Sequence, residues 1–176
     1  EEMTNGEKAV PASQFYGKLA QRIMHLFNTR MSSGMLYELD LRLRPSGNSG
    51  LLVVHISTFA HYLENEAWTW EHQALVRARA IFGESELINT FLGIRKSILM
   101  RSRISEELRE DVVKMRDKMR DHLDKSTEDR SDIKQSTGGL VDIEFLAQFL
   151  VLNHSADKPD ITNFSDNVRI FQQLSQ

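Results

Sequence analysis

The sequence predicts an α+β fold that is mostly α, with a short β-hairpin near the N-terminal end and a helical bundle after it. Three observations predict this. Residues 35–44 alternate strictly: Met35, Tyr37, Leu39, Leu41 and Leu43 fall on one side, and Leu36, Glu38, Asp40, Arg42 and Arg44 on the other. The run Pro45-Ser46-Gly47-Asn48-Ser49-Gly50 is a turn by composition, and a second short apolar run, Leu51 to His55, follows it. From Ser57 onward, apolar residues recur at helical spacing almost to the last residue.

Taken in order, residues 1–11 are polar. Ser13 can cap a helix to about Thr29, with Phe15, Leu19, Ile23 and Leu26 along one face. The alternating strand, the turn and the second strand come next. Helices are then expected at about 58–66, 67–82, 86–101, 105–124, 139–154 and 166–175. The one at 105–124 has the clearest stripe, Leu108, Val112, Met115, Met119 and Leu123. Its other faces carry Glu110, Lys114, Asp117, Arg120 and Asp121, which read as a solvated surface. In the helix from Ala67, the core arc is Ala67, Trp70, Ala74, Leu75, Ala78, Ile81 and Phe82, and Glu71 falls inside it. A buried carboxylate there needs a partner, for which a nearby arginine is the expectation. Trp68, His72 and Arg79 form a second stripe, either a contact surface or packing.

Composition narrows the function. With 176 residues, 40% hydrophobic and 27% charged, the chain is that of a globular protein with a core. A net charge of −3 gives no overall attraction to nucleic acid or to an anionic membrane. Cysteine is absent, which excludes disulfides and thiolate chemistry and fits the cytoplasm. No apolar run reaches the roughly 20 residues of a membrane span, and no secretory signal opens the chain. The lack of an initiating methionine, and an end inside an expected helix, read as a piece of a longer protein.

Candidate chemistry gathers at two places. Along the strand, Glu38, Asp40, Arg42 and Arg44 recur on one side at about 7 Å. They form either an exposed sheet face with cross-strand ion pairs, or a carboxylate for a divalent cation beside guanidinium groups for phosphate. The glycines and serines of 45–50 can offer backbone N–H groups to an anion, or form an ordinary turn. The second place is Lys134-Gln135-Ser136-Thr137-Gly138-Gly139, which leads into a helix start that favours anions. Asp142 and Glu144 follow, as site carboxylates or as acids suited to the helix dipole. The six histidines are scattered, and no zinc-hydrolase or serine-hydrolase motif is present.

Several blocks are similar to a known family. Leu36-Tyr37-Glu38-Leu39-Asp40-Leu41-Arg42-Leu43-Arg44-Pro45-Ser46-Gly47 resembles the segment of glutamine synthetase adenylyltransferases that supplies their third catalytic carboxylate. Residues Glu66 to Arg79, with Trp68-Thr69-Trp70-Glu71-His72, resemble the family's following helix. Asp132-Ile133-Lys134 with Gly138 to Phe145, and Ser165 to Ile170, resemble two further blocks in the same order.

The resemblance implies a fragment of the half that attaches AMP from ATP to a tyrosine of glutamine synthetase. The hairpin would be the remnant of a polymerase-β-type nucleotidyltransferase sheet. On this reading residues 1–56 are a partial catalytic domain lacking its Gly-Ser and Asp-x-Asp motif, and 57–176 a truncated helical bundle. Asp40 would be a catalytic Mg²⁺ ligand. Arg42, Arg44, Lys134, Gly138, Gly139, Asp142 and Glu144 would bind the nucleotide. Glutamine synthetase and a PII-type nitrogen signal protein are the implied partners, with no nucleic acid and no membrane. The fragment alone is expected to be inactive. The alternatives are the AMP-removing, phosphorolytic half, or a non-catalytic helical module that binds a partner.

Overall fold

The structure, a computed structural model, describes residues 3–41 and 43–176. It divides into two compact units, Glu1–Tyr62 and Leu63–Gln176. Seven α-helices form among the described residues: α1 (Ala12–Asn28), α2 (Ile56–Asn65), α3 (Thr69–Arg77), α4 (Ser85–Leu99), α5 (Ser105–Leu123), α6 (Leu140–His154) and α7 (Asn167–Leu174). Short 3-10 turns occupy Gly47–Ser49 and Pro159–Asn163.

The expected hairpin does not form, and the fold class is corrected from α+β to all-α among the described residues. Bridges there are isolated pairs only: Met3 with Pro11, Met31 with Gly34, and Thr127 with Arg130. The physical reason lies in what surrounds the alternating segment. A strand needs a ladder partner and a buried face, and a lone two-stranded hairpin is marginal even when paired. Met35, Leu36, Tyr37 and Leu43 are exposed and Leu39 and Leu41 only half-buried, so no described residue of the alternation is buried. The segment leans instead on the end of α1. Tyr37 stacks on Phe27 with ring centroids 6.2 Å apart, and the Leu39 N–H donates to Asn28 Oδ1 at 3.4 Å.

The first unit has no buried residue among those described. The apolar face of α1, Phe15, Leu19, Ile23 and Leu26, is exposed along its length. The Pro45–Gly50 turn closes on itself: the N–H groups of Gly47, Ser49 and Gly50 donate to the carbonyls of Arg44, Ser46 and Gly47 at 2.8, 3.1 and 3.2 Å. Gly50 is required by that closure, because a Cβ there would lie 1.9 Å from the Pro45 carbonyl oxygen.

The second unit holds the core. Within it α3 packs against α4, α5 and α6; α5 packs on α6, and α6 on α7. Val76, Ile98, Leu99, Ala147, Val151, Leu152, Ile161 and Ile170 are fully enclosed. Polar ties fix the crossings. Thr69 Oγ1 donates to Asp111 at 2.6 Å, Gln73 to Gln148 at 3.1 Å, and the buried Ser155 hydroxyl to the Leu99 carbonyl at 2.5 Å.

Two arginines, Arg95 buried and Arg103 half-buried, act as helix C-caps. Arg95 donates to the carbonyls of Leu75, Val76, Thr162 and Phe164, so it satisfies the open end of α3. Arg103 donates to Ile98, Leu99, Arg101 and Leu152, closing α4. Burial lowers both pKa values, that of Arg103 to about 10 with help from the Arg101 charge. The Arg95 cap coincides with the early stop of α3 at Arg77, five residues short of the expected end. Ile81 and Phe82, expected in the core, lie beyond that stop and are exposed. Glu71 is buried as expected, and its carboxylate accepts the Trp68 N–H at 3.0 Å, capping the start of α3. Trp68 itself is exposed.

Candidate partner-docking site

A polar cluster forms in the second unit where the 132–139 loop meets α6. Asp132 starts the loop: its Oδ1 accepts the N–H groups of Lys134 and Gln135 at 2.9 and 3.0 Å. Those backbone donors hold the Asp132 pKa below the ordinary carboxylate value, that of Gln135 first. The loop then folds under the first turn of α6, whose Leu140 and Val141 N–H groups donate to the Ile133 and Lys134 carbonyls, each at 3.1 Å. Gly139 permits the approach, since a Cβ there would lie 2.8 Å from the carbonyl oxygens of Ile133, Lys134 and Ser136.

Asp142 sits in that first turn and is the hub. Its Oδ2 accepts the Gly138 N–H at 2.7 Å, and Gly138 has a left-handed φ of +79°. Its Oδ1 accepts Arg116 Nε at 2.5 Å and faces Arg120 Nη2 at 3.5 Å. Arg116 is 5% exposed, and its Nη2 also donates to the Gln135 carbonyl at 2.7 Å. One guanidinium therefore ties α5, the loop and α6 together. Partial burial works to raise the Asp142 pKa. The Gly138 N–H, the Arg116 hydrogen bond and the charges of Arg116 and Arg120 outweigh it, and the net shift is downward. Arg116 Nη1 and Arg120 Nε are buried without an acceptor among the described residues.

Beside this cluster, α5 and α6 enclose a groove of about 320 Å³. Its walls are Val112, Val113, Phe145, Leu146 and Phe149, and its charged members are Arg109, Arg116, Asp117, Arg120 and Asp142. Val113 and Leu146 are 49% and 51% exposed, so the walls are open to a visitor.

The residues singled out from the sequence are distributed as follows. Lys134, Gly138, Gly139 and Asp142 come together in the loop–helix junction. Lys134 is exposed beside a hollow of about 400 Å³ that Lys125, Arg130 and Asp132 also line. Glu144 faces Arg77 at 3.4 Å, an exposed pair. Asp40 is exposed and Arg44 half-buried in the first unit, where Arg44 Nη1 donates to the Leu41 carbonyl and its Nε is buried without a partner among the described residues. Arg42 lies outside the described residues. Sequence reasoning missed Arg116 and set Arg120 aside as solvated. A signal existed: Arg116 stands four residues after Val112 and eight after Leu108, both buried on α5.

The family model for GlnE, described as glutamate-ammonia ligase adenylyltransferase, matches residues 1–94, more than half of the 176. The chain belongs to the GlnE family. Residues 95–176, with the α5–α6 groove, lie outside the match.

Membership does not restore the catalytic reading. The expected AMP-transferring nucleotidyltransferase fragment needs a small sheet to mount its carboxylates, and the described residues contain none. Nor do three or more His, Asp or Glu side chains gather among them where a metal ion could be held. Enzyme, transferase and ATP-binding fragment, as expected from the sequence, are therefore corrected to a helical module of a GlnE-family protein. No helix among the described residues is long and apolar enough to cross a membrane.

Proposed function

We propose that this chain is a non-catalytic, partner-binding helical module of a GlnE-family protein, with glutamate–ammonia ligase (glutamine synthetase) as its partner. One observation carries the reading: the second unit completes its own helical core yet leaves the α5–α6 groove apolar, half-exposed and edged with charge. Apolar grooves between helices are a common way to hold a partner helix. The ligase is the substrate named in the family description, which makes it the first partner to test. A cytosolic setting and an origin in the AMP-attaching half belong to the same proposal. The second rests on the wording of Trp68–His72 and Asp142–Glu144. Mg²⁺ at Asp40 is a separate proposal, supported by residue type alone, and calorimetric titration of wild type and Asp40→Asn with the metal alone tests it.

The direct test is biolayer interferometry of the purified 176-residue chain against glutamine synthetase, with a PII-type signal protein in parallel. Saturable binding of the synthetase supports the reading. Binding of the PII-type protein alone reassigns the partner, and binding of neither removes the reading.

A further inference from the structure

Helix α6, Leu140-Val141-Asp142-Ile143-Glu144-Phe145-Leu146-Ala147-Gln148-Phe149-Leu150-Val151-Leu152-Asn153-His154, is apolar on nearly every side. A helix of that kind is normally covered all round. Here Val141, Ala147, Val151 and Leu152 are buried, while Leu140, Ile143 and Leu146 stay exposed. The α5–α6 groove lies along α6, and Leu146 is one of its walls. Its two sides rise at helical spacing, Arg109, Val113 and Arg116 on α5 against Asp142, Phe145 and Phe149 on α6. From Arg109 to Arg120, the α5 side spans about 16 Å at 1.5 Å per residue, some three turns. Two parallel ridges of that length fit a third helix.

Charge says what that helix carries. Asp142 is already held by Arg116 and Arg120, and Asp117 pairs with Arg120 at 3.1 Å. Arg109 on the rim makes no ion pair among the described residues. With three arginines against Asp117 and Asp142, the charged lining of the groove is net positive by one. The exposed amphipathic helix of this chain itself, α1, carries Lys18 and Arg22 and no acidic residue. A second copy offering α1 would meet like charge.

We infer that the α5–α6 groove docks an amphipathic helix of the partner protein, apolar side chains against Val113 and Leu146 and a glutamate or aspartate over Arg109. This rests on the partner-binding reading and assigns its surface.

The test uses glutamine synthetase as the probe, in interferometry against wild type, Leu146→Glu, Arg109→Glu and the control Val168→Glu, an exposed position on α7. Far-ultraviolet circular dichroism melts accompany each variant. The expected result is a Kd raised at least about tenfold by each groove variant and unchanged by the control. If Leu146→Glu melts early, Arg109→Glu, on an exposed residue, decides. Groove variants that bind as wild type overturn this inference and leave the partner-binding reading standing. No binding by wild type overturns both. Concentration-dependent dimers in light scattering that vanish in Leu146→Glu assign the groove to a second copy, and also overturn it.

Discussion

At the scale of single residues, the 132–142 junction depends on one carboxylate. Asp142 neutralises the buried Arg116 and also accepts the Gly138 N–H. Asp142→Asn leaves an amide of nearly the same shape but strands a buried guanidinium. Removing one partner of a buried pair costs on the order of 3 kcal/mol. The expected outcome is an unfolding free energy, from urea titration, lowered by about that amount with helix content unchanged; an unshifted midpoint contradicts the role. The same carboxylate is acid-sensitive. Its pKa is lowered in the fold, so its contribution is present above the ordinary 3.8 and is lost as pH falls through the lower folded value.

His72 gives a second acid-linked term, at milder pH. Burial is the main cause lowering its pKa from 6.5, ahead of the Leu63 carbonyl, which opposes it. Its Nε2 lies 2.8 Å from that carbonyl and donates to it. The unfolded chain therefore binds the proton more readily than the folded one. Stability is full above 6.5 and declines as pH falls below it. His72→Gln keeps a donor and loses the titration. Its melting temperature is expected to fall less than that of wild type between pH 7 and pH 5, as differential scanning fluorimetry will read. Equal falls contradict the assignment.

At the scale of elements, the alternating segment is the sharpest case. Without a ladder, amides of 35–41 and 51–55 are expected to exchange with deuterium in seconds, while those of α6 stay protected for hours. Matching protection in both segments would mean that they pair as strands after all. The helices were legible because a stripe such as Leu108, Val112, Met115 in α5 records its own burial. The hairpin was not, because alternation marks two faces without saying that a neighbouring strand exists to pair with. The end of α3 was hidden for a similar reason, since its cap is Arg95, distant in sequence. At the site, Gly138, Gly139 and Asp142 stood out through turn type and helix position. Arg116 did not, because a charged residue on a helix reads as solvated until the carboxylate opposite it is known.

For the whole molecule, family and fold point to different tasks. The chain belongs to the GlnE family through residues 1–94, yet the described residues build helices, a core confined to the second unit, and an open groove. Holding a partner is the task that such a surface suits. The central claim meets its most direct test in one interferometry titration of glutamine synthetase over the immobilised 176-residue chain. The account predicts saturable, reversible binding with a Kd in the micromolar range or tighter, about −8 kcal/mol. A flat response across that range, from a chain whose circular dichroism shows it folded, would contradict it.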